Sequence, residues 1–347
     1  MKKVLIFNII IIFIITISLT GCIKKYTPPE VEETAIIETA DATGSPLETE
    51  DIPDTDQEAP KTEDSPEISQ GERMAPAIVF MSSSGNVSTI YICNPDGSGL
   101  KALIDGGIFT SPSWNKEHSK IVFTFINPKN GTSSLYIFDT ESKGITLLLE
   151  RFSPMDPSFD PEGKKVVFAD FPEEGTENLE IYTIGIDGTN LRRLTDNQAR
   201  DYFPKYSPDG KTVVFSSERD GNIQLYAMSG SGEDAKRLIE DDFFNNNGSY
   251  SPDGLNIIFQ SNRGGTFDLY KINSDGRGEI QNITNNSADN FDACYSPDGS
   301  RIVYRSNKGS DDNMSYDIFL MAASGSNQIN ITPSTNFLFS NTCKINL

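Results

Sequence analysis

Tyr206-Ser207-Pro208-Asp209-Gly210-Lys211-Thr212-Val213-Val214-Phe215 is the stretch that most limits how this chain can fold, because the chain keeps rewriting it. Ser-Pro-Asp-Gly returns at Ser251–Gly254 and Ser296–Gly299, each time ahead of a β-branched run that ends in an aromatic, Ile257-Ile258-Phe259 and Ile302-Val303-Tyr304. Looser copies stand at Phe159-Asp160-Pro161-Glu162-Gly163 before Val166-Val167-Phe168, and at Trp114-Asn115-Lys116-Glu117 before Ile121-Val122-Phe123. The period is about 45 residues, which suits blades of a β-propeller better than helical solenoids.

Three markers count the units. The run-ending aromatic falls at Phe80, Phe123, Phe168, Phe215, Phe259 and Tyr304, and an aliphatic-aromatic pair follows each, as in Leu225-Tyr226 and Leu269-Tyr270. A second turn, often Asp-Gly, then leads to a Leu-Thr-like segment, as in Asp187-Gly188 to Leu194-Thr195. Pro presets φ in the first turn, Asp bonds local amides, and Gly takes the left-handed position. Val, Ile and Phe favour a half-buried extended surface, so each unit reads as four short strands. The expected fold is all-β: a six-bladed β-propeller of four-stranded antiparallel blades. The slot aromatics are expected to pack between blades. The first unit starts at its second strand, Ala77–Phe80, and Phe339 and Cys343 fall at first-strand spacing. Phe339–Ile345 is therefore expected to pair with Ala77–Phe80 and close the ring, which removes two free edges.

The chain ahead of the repeats differs in kind. Lys2 and Lys3, the apolar run Val4–Leu19 and then Leu19-Thr20-Gly21-Cys22 form an export signal rather than a membrane span. The last four residues resemble the lipobox of bacterial lipoproteins. That resemblance implies cleavage after residue 21 and a thioether-linked diacylglycerol and N-acyl group on Cys22, the stable multi-chain kind of membrane anchor. Tyr26–Arg73 holds fifteen Asp and Glu against Lys61 and Arg73, with no apolar period. Such a segment cannot offset its ordering entropy and reads as an acidic tether. The expected organisation is a signal peptide over 1–21, lipidated cysteine and tether over 22–73, and propeller over 74–347. With a net charge of -21 and no Lys/Arg cluster, nucleic acid is excluded as a partner.

Asp201, Pro204, Tyr206, Ser207–Gly210, Val214-Phe215, Ser217, Arg219-Asp220-Gly221 and Leu225-Tyr226 resemble the blade of the TolB-family β-propellers, the WD40-like Pro-Asp repeat. The likeness spans Ala77–Leu347 and is strongest in the last three units. It is to the propeller alone, since the family's namesake carries a folded α/β domain ahead of its propeller. It implies the fold and a part in protein docking. The same repeats occur in non-catalytic propellers of prolyl-oligopeptidase-type enzymes and in some polysaccharide-acting proteins, so the motif does not fix one function.

Catalytic constellations are scarce. His118 is the only histidine and reads as a solvated turn residue; it cannot by itself complete a triad or a zinc site. No cofactor, no metal and no enzymatic activity are expected. Beyond Cys22, Cys93, Cys294 and Cys343 are expected to be buried free thiols. One constellation invites a ligand. The starts of first strands line the mouth of a propeller, and alignment of the units gathers Asp156, Asp201, Asn245, Asn247, Asn290 and Asp292 there. This acidic, amide-rich mouth is expected either to bind a basic peptide segment or a cation, or to cap blade-entry turns through local backbone bonds. The expected protein is a monomeric, lipid-anchored envelope module that holds a protein or peptide partner without catalysis. The alternative is a carbohydrate-binding or polysaccharide-acting propeller, with Tyr202, Phe203, Phe243, Phe244 and Phe291 as stacking candidates.

Overall fold

In a computed structural model of the chain, one unit spans Pro60–Leu347. The structure describes residues 78–84, 87–310 and 315–332, all in that unit. Cys22, the acidic tether and the segment Phe339–Ile345 lie outside the described residues. No helix among the described residues is long and apolar enough to cross a membrane.

The described residues form five antiparallel sheets. The first is six-stranded, in the order β1 (Ile78–Ser84), β2 (Val87–Cys93), β3 (Lys101–Trp114), β4 (Lys120–Ile126), β5 (Ser133–Asp139) and β6 (Ile145–Arg151). Four four-stranded sheets follow. They are β7 (Met155–Phe159) to β10 (Arg192–Arg193), with β8 (Lys165–Asp170) and β9 (Glu180–Gly185) between, then β11 (Asp201–Tyr206), β12 (Thr212–Ser217), β13 (Gln224–Ser229) and β14 (Lys236–Arg237). The last two are β15 (Asn245–Tyr250), β16 (Asn256–Ser261), β17 (Asp268–Asn273) and β18 (Gln281–Asn282), and β19 (Asn290–Tyr295), β20 (Arg301–Ser306), β21 (Asp317–Ala322) and β22 (Ile329–Asn330).

The propeller is thus five-bladed and not six-bladed, because β3 fuses the first two sequence units. Its first half pairs with β2 (Ala102 opposite Tyr91) and its second half with β4 (Trp114 opposite Ile121). Ahead of β11, β15 and β19 about seven residues that include Asp or Asn break the chain, and Phe152-Ser153-Pro154 breaks it ahead of β7, whereas β3 runs on through Asp105-Gly106-Gly107. The expected closure by a C-terminal strand is likewise corrected. Among the described strands β1 pairs only with β2, and the last described sheet ends at β22. The first and last sheets meet instead by packing. Gly97, at φ +82 after β2, lies against the backbone of Ile331, beyond β22, so closely that a Cβ would collide with the Ile331 carbonyl oxygen. Gly232 makes the same contact with Leu194 of the preceding sheet.

All six slot aromatics are cross-strand partners of the following aromatic. The pairs Phe80–Tyr91, Phe123–Tyr136, Phe168–Tyr182, Phe215–Tyr226, Phe259–Tyr270 and Tyr304–Phe319 have ring centroids 5.6 to 6.0 Å apart. They pack between sheets, as expected. One core cluster joins Val214, Leu225 and Leu238 to Ile257, Phe259 and Tyr270 of the next sheet. Another joins Ile258 and Leu269 to Ile302, Tyr304 and Phe319. Neighbouring residues in the β-branched run therefore serve different interfaces, because successive side chains point to opposite faces.

The Leu-Thr marker also has a physical reason. The Thr284 hydroxyl accepts from Leu269 N at 3.0 Å and donates to Asp268 Oδ1 at 2.6 Å, so it ties the short fourth strand to the third. Thr195 does the same with Ile181 N and Glu180. Cys93 is a buried free thiol, as expected, and Cys294 is buried; burial and the nearby Asp96 push the Cys93 thiol up to about 12. His118 is half-buried, with its ring edge-on to Trp114 at 5.5 Å, rather than fully solvated.

Candidate functional site

The site is built on the innermost strands, the second half of β3 with β7, β11, β15 and β19, each of which contacts the next. Every one of them carries a register shift at the same slot, between Thr110 and Ser113, Met155 and Ser158, Tyr202 and Lys205, Asn246 and Ser249, and Phe291 and Cys294. The residue inside each bulge is left-handed: Ser111 (φ 53), Asp156 (56), Phe203 (54), Asn247 (51) and Asp292 (54). A bulge re-aims the side chain it carries. Here the side chains reach from sheet to sheet. Ser111 Oγ donates to Asp156 Oδ1 at 3.1 Å, and Asn247 Nδ2 donates to Asp292 Oδ1 at 2.7 Å.

The preceding sheet holds the backbone of this collar. Ser216 Oγ accepts from Asn247 N at 3.0 Å, and Gln260 Oε1 accepts from Asp292 N at 3.2 Å. Arg305 Nε donates to Asp292 Oδ2, and its guanidinium lies 4.9 Å from the Phe291 ring and 4.8 Å from the Tyr316 ring. Asn247 is 3 % exposed, and no donor among the described residues reaches its Oδ1. A buried acceptor left this way carries the full desolvation penalty of its group.

The six residues singled out from sequence fall into two rows. Asp156, Asn247 and Asp292 form the collar. Asp201, Asn245 and Asn290 stand two residues earlier in their strands and are 0 % exposed. Asp201 Oδ2 accepts from Arg219 Nη2 at 2.8 Å and from Asn197 Nδ2 at 2.7 Å. Asn245 Oδ1 accepts from Arg263 Nη2 at 2.7 Å, while Asn245 Nδ2 donates to Gln224 of the preceding sheet at 2.9 Å. Asn290 Nδ2 donates to Asp268 of its preceding sheet at 3.1 Å. Asp201 Oδ1 and Asn290 Oδ1 also lack a donor among the described residues, and both residues are fully buried. This row staples sheets together.

Sequence reasoning missed the arginines of this row. Arg219 and Arg263 were legible only as hairpin residues, yet Arg219 stacks 4.7 Å from Tyr226 and Arg263 4.9 Å from Tyr270 while pairing with the row. Their charges are used inside the fold. Of the candidate stacking aromatics, Tyr202 and Phe291 are buried, Phe203 and Phe244 half-buried, and Phe243 alone is exposed, at 43 %. Tyr202 packs beside Glu218; burial and then that carboxyl push the phenol well above its ordinary value, and burial also raises Glu218.

Residues 77–248 match the TolB beta propeller domain family, and residues 200–311 match the N-terminal region of dipeptidyl peptidase IV. The chain carries a TolB-like β-propeller domain. Among solved structures, TolB from Acinetobacter baumannii superposes with a TM-score of 0.64 at 21 % identity, covering 79 % of this chain and 66 % of that one. This chain thus spans just under two thirds of that relative. A protein from Agrobacterium tumefaciens described as TolB gives 0.63 at 19 % identity, with 78 % and 96 % covered. A chain of a nidogen/laminin complex gives 0.61 at 13 % identity, with 78 % and 98 % covered. At these identities the likeness is of fold.

Proposed function

We propose that this TolB-like propeller is a non-enzymatic binding module of the bacterial cell envelope, anchored through a lipidated Cys22. Its collar takes a basic polypeptide segment of a partner protein. The observation that carries this reading is the inner-strand bulge row, where Asp156, Asn247 and Asp292 present acceptors and Asn247 Oδ1 has no donor within reach among the described residues. A lysine or arginine side chain supplies the donor that Asn247 Oδ1 lacks and a charge opposite to the carboxylates, and charge-assisted hydrogen bonds are the strong ones. The lipobox-like Leu19–Cys22 and the acidic tether support the envelope address. The propeller of the nidogen/laminin complex lends general support, since there a related fold occurs in a protein complex. Of the candidate stacking rings, the carbohydrate reading keeps Phe243 as the exposed one.

The test is photo-crosslinking in intact envelopes with the full chain, a photoreactive residue at Lys205 on an inner strand, and Asp156→Asn plus Asn247→Gly in a second copy. Both substitutions suit left-handed backbone. A discrete protein adduct that disappears with the double variant supports the proposal. An adduct that persists unchanged, or none, overturns it. Retention of the chain in the membrane fraction after Cys22→Ser would remove the anchor from the account.

A further inference from the structure

Most collar residues explain their own type. Asn and Asp tolerate left-handed backbone better than other side chains, which accounts for the residue types at Asp156, Asn247 and Asp292. Ser111 uses its hydroxyl to reach the next sheet. Phe203 differs. It holds φ 54 with a bulky ring, an outlier for such a side chain. The ring contacts Tyr202 edge-on, centroids 5.0 Å apart, and stays half-buried between the sheets that carry Asp156 and Asn247. An Asn at this slot is relaxed, as Asn247 shows one sheet further on. Strain of this kind persists where the surrounding structure imposes it, and it clusters at ligand sites.

We infer that Phe203 is the apolar half of a two-part subsite whose polar half is Asp156, Asn247 and Asp292, and that it selects segments in which a cationic residue adjoins an aromatic one. This rests on the collar reading above. Equal φ at equal slots sends the Phe203 side chain off its strand in the direction taken by Asp156 and Asn247, so a bound segment meets the ring and the acceptors together. The ring face also favours a cation. The competing account is that the ring serves packing within the fold alone.

The two accounts separate with Phe203→Asn, and with Phe203→Gly as a second variant, in the full chain. The probes are N-acetyl-Arg-Trp-amide, N-acetyl-Arg-Gly-amide and N-acetyl-Glu-Trp-amide, titrated by NMR. Wild type is expected to prefer Arg-Trp over Arg-Gly by about 3- to 10-fold, the range of one aromatic contact, and to bind Glu-Trp least. Phe203→Asn is expected to erase that preference, to keep Arg-Gly binding above that of Glu-Trp through the remaining acceptors, and to melt no lower than wild type. A lower melting temperature with the preference intact makes the ring a packing residue and overturns the inference alone. Equal binding of Arg-Trp and Arg-Gly by wild type also overturns it alone. If no Arg peptide binds, or binding is untouched by Asp156→Asn with Asn247→Gly, the collar reading falls as well.

Discussion

Gly232→Ala tests how the sheets hold one another. Gly232 sits at φ +88 in the turn between β13 and β14, and a Cβ built there lies 2.6 Å from Leu194 O and 2.9 Å from Leu194 Cα. Leu194 cannot easily retreat: it is 7 % exposed, and its amide donates to Ile181 O at 2.7 Å. Gly221, in the hairpin between β12 and β13 of the same sheet, has φ +86 and no atom within 4 Å of its built Cβ. Both alanine variants carry the left-handed penalty of about 1–2 kcal/mol. Both also gain the same small amount from a stiffer unfolded chain. Only Gly232→Ala adds an overpacking cost of about 1–3 kcal/mol, which is the predicted gap between the variants. Urea unfolding with matched m-values measures it. Equal losses for the two would mean that the turn glycines do not set sheet-to-sheet spacing.

Other predictions follow from single contacts. Thr284→Val removes the acceptor of Leu269 N and a donor to Asp268, and should cost about 1–3 kcal/mol in the same unfolding assay. Asp298 is held down to about 2 by hydrogen bonds from the Ser296 hydroxyl and then the Ser300 amide. Because its folded value is depressed, the interaction is present above the unfolded value and fades as pH falls toward about 2; carboxyl-carbon NMR should find that midpoint. A midpoint at the ordinary 3.8 would contradict the capping geometry. Cys93, buried and pushed up to about 12, should resist iodoacetamide in the native chain at pH 8 and react in urea, as read by mass spectrometry.

Much of the fold was legible because period-two burial and turn chemistry act locally. Val213, Val214 and Phe215 could be placed on a second strand from sequence alone, and Phe215 does meet Tyr226. The blade count was not legible in that way. Whether Asp105-Gly106-Gly107 breaks a strand depends on what pairs on either side, and β3 finds β2 and β4 in one continuous run. At the candidate site, alignment found the right strands and two slots on them, two residues apart, but not what each slot does. Asp201 and Asp292 look alike in sequence, yet one pairs with Arg219 in a sealed staple and the other lies in a left-handed bulge. Asp and Asn at the bulge slot carried a backbone signal that Phe203 does not share.

The central claim is that the collar binds a basic segment of a protein partner. The most direct measurement is crosslinking from Lys205 in intact envelopes, compared with a photoreactive residue at Leu255, which is 66 % exposed on a Ser-Pro-Asp-Gly turn. The account predicts one protein adduct from position 205, lost with Asp156→Asn and Asn247→Gly, and none like it from position 255. The same adduct from position 255, or one from position 205 that survives the double variant, would contradict it.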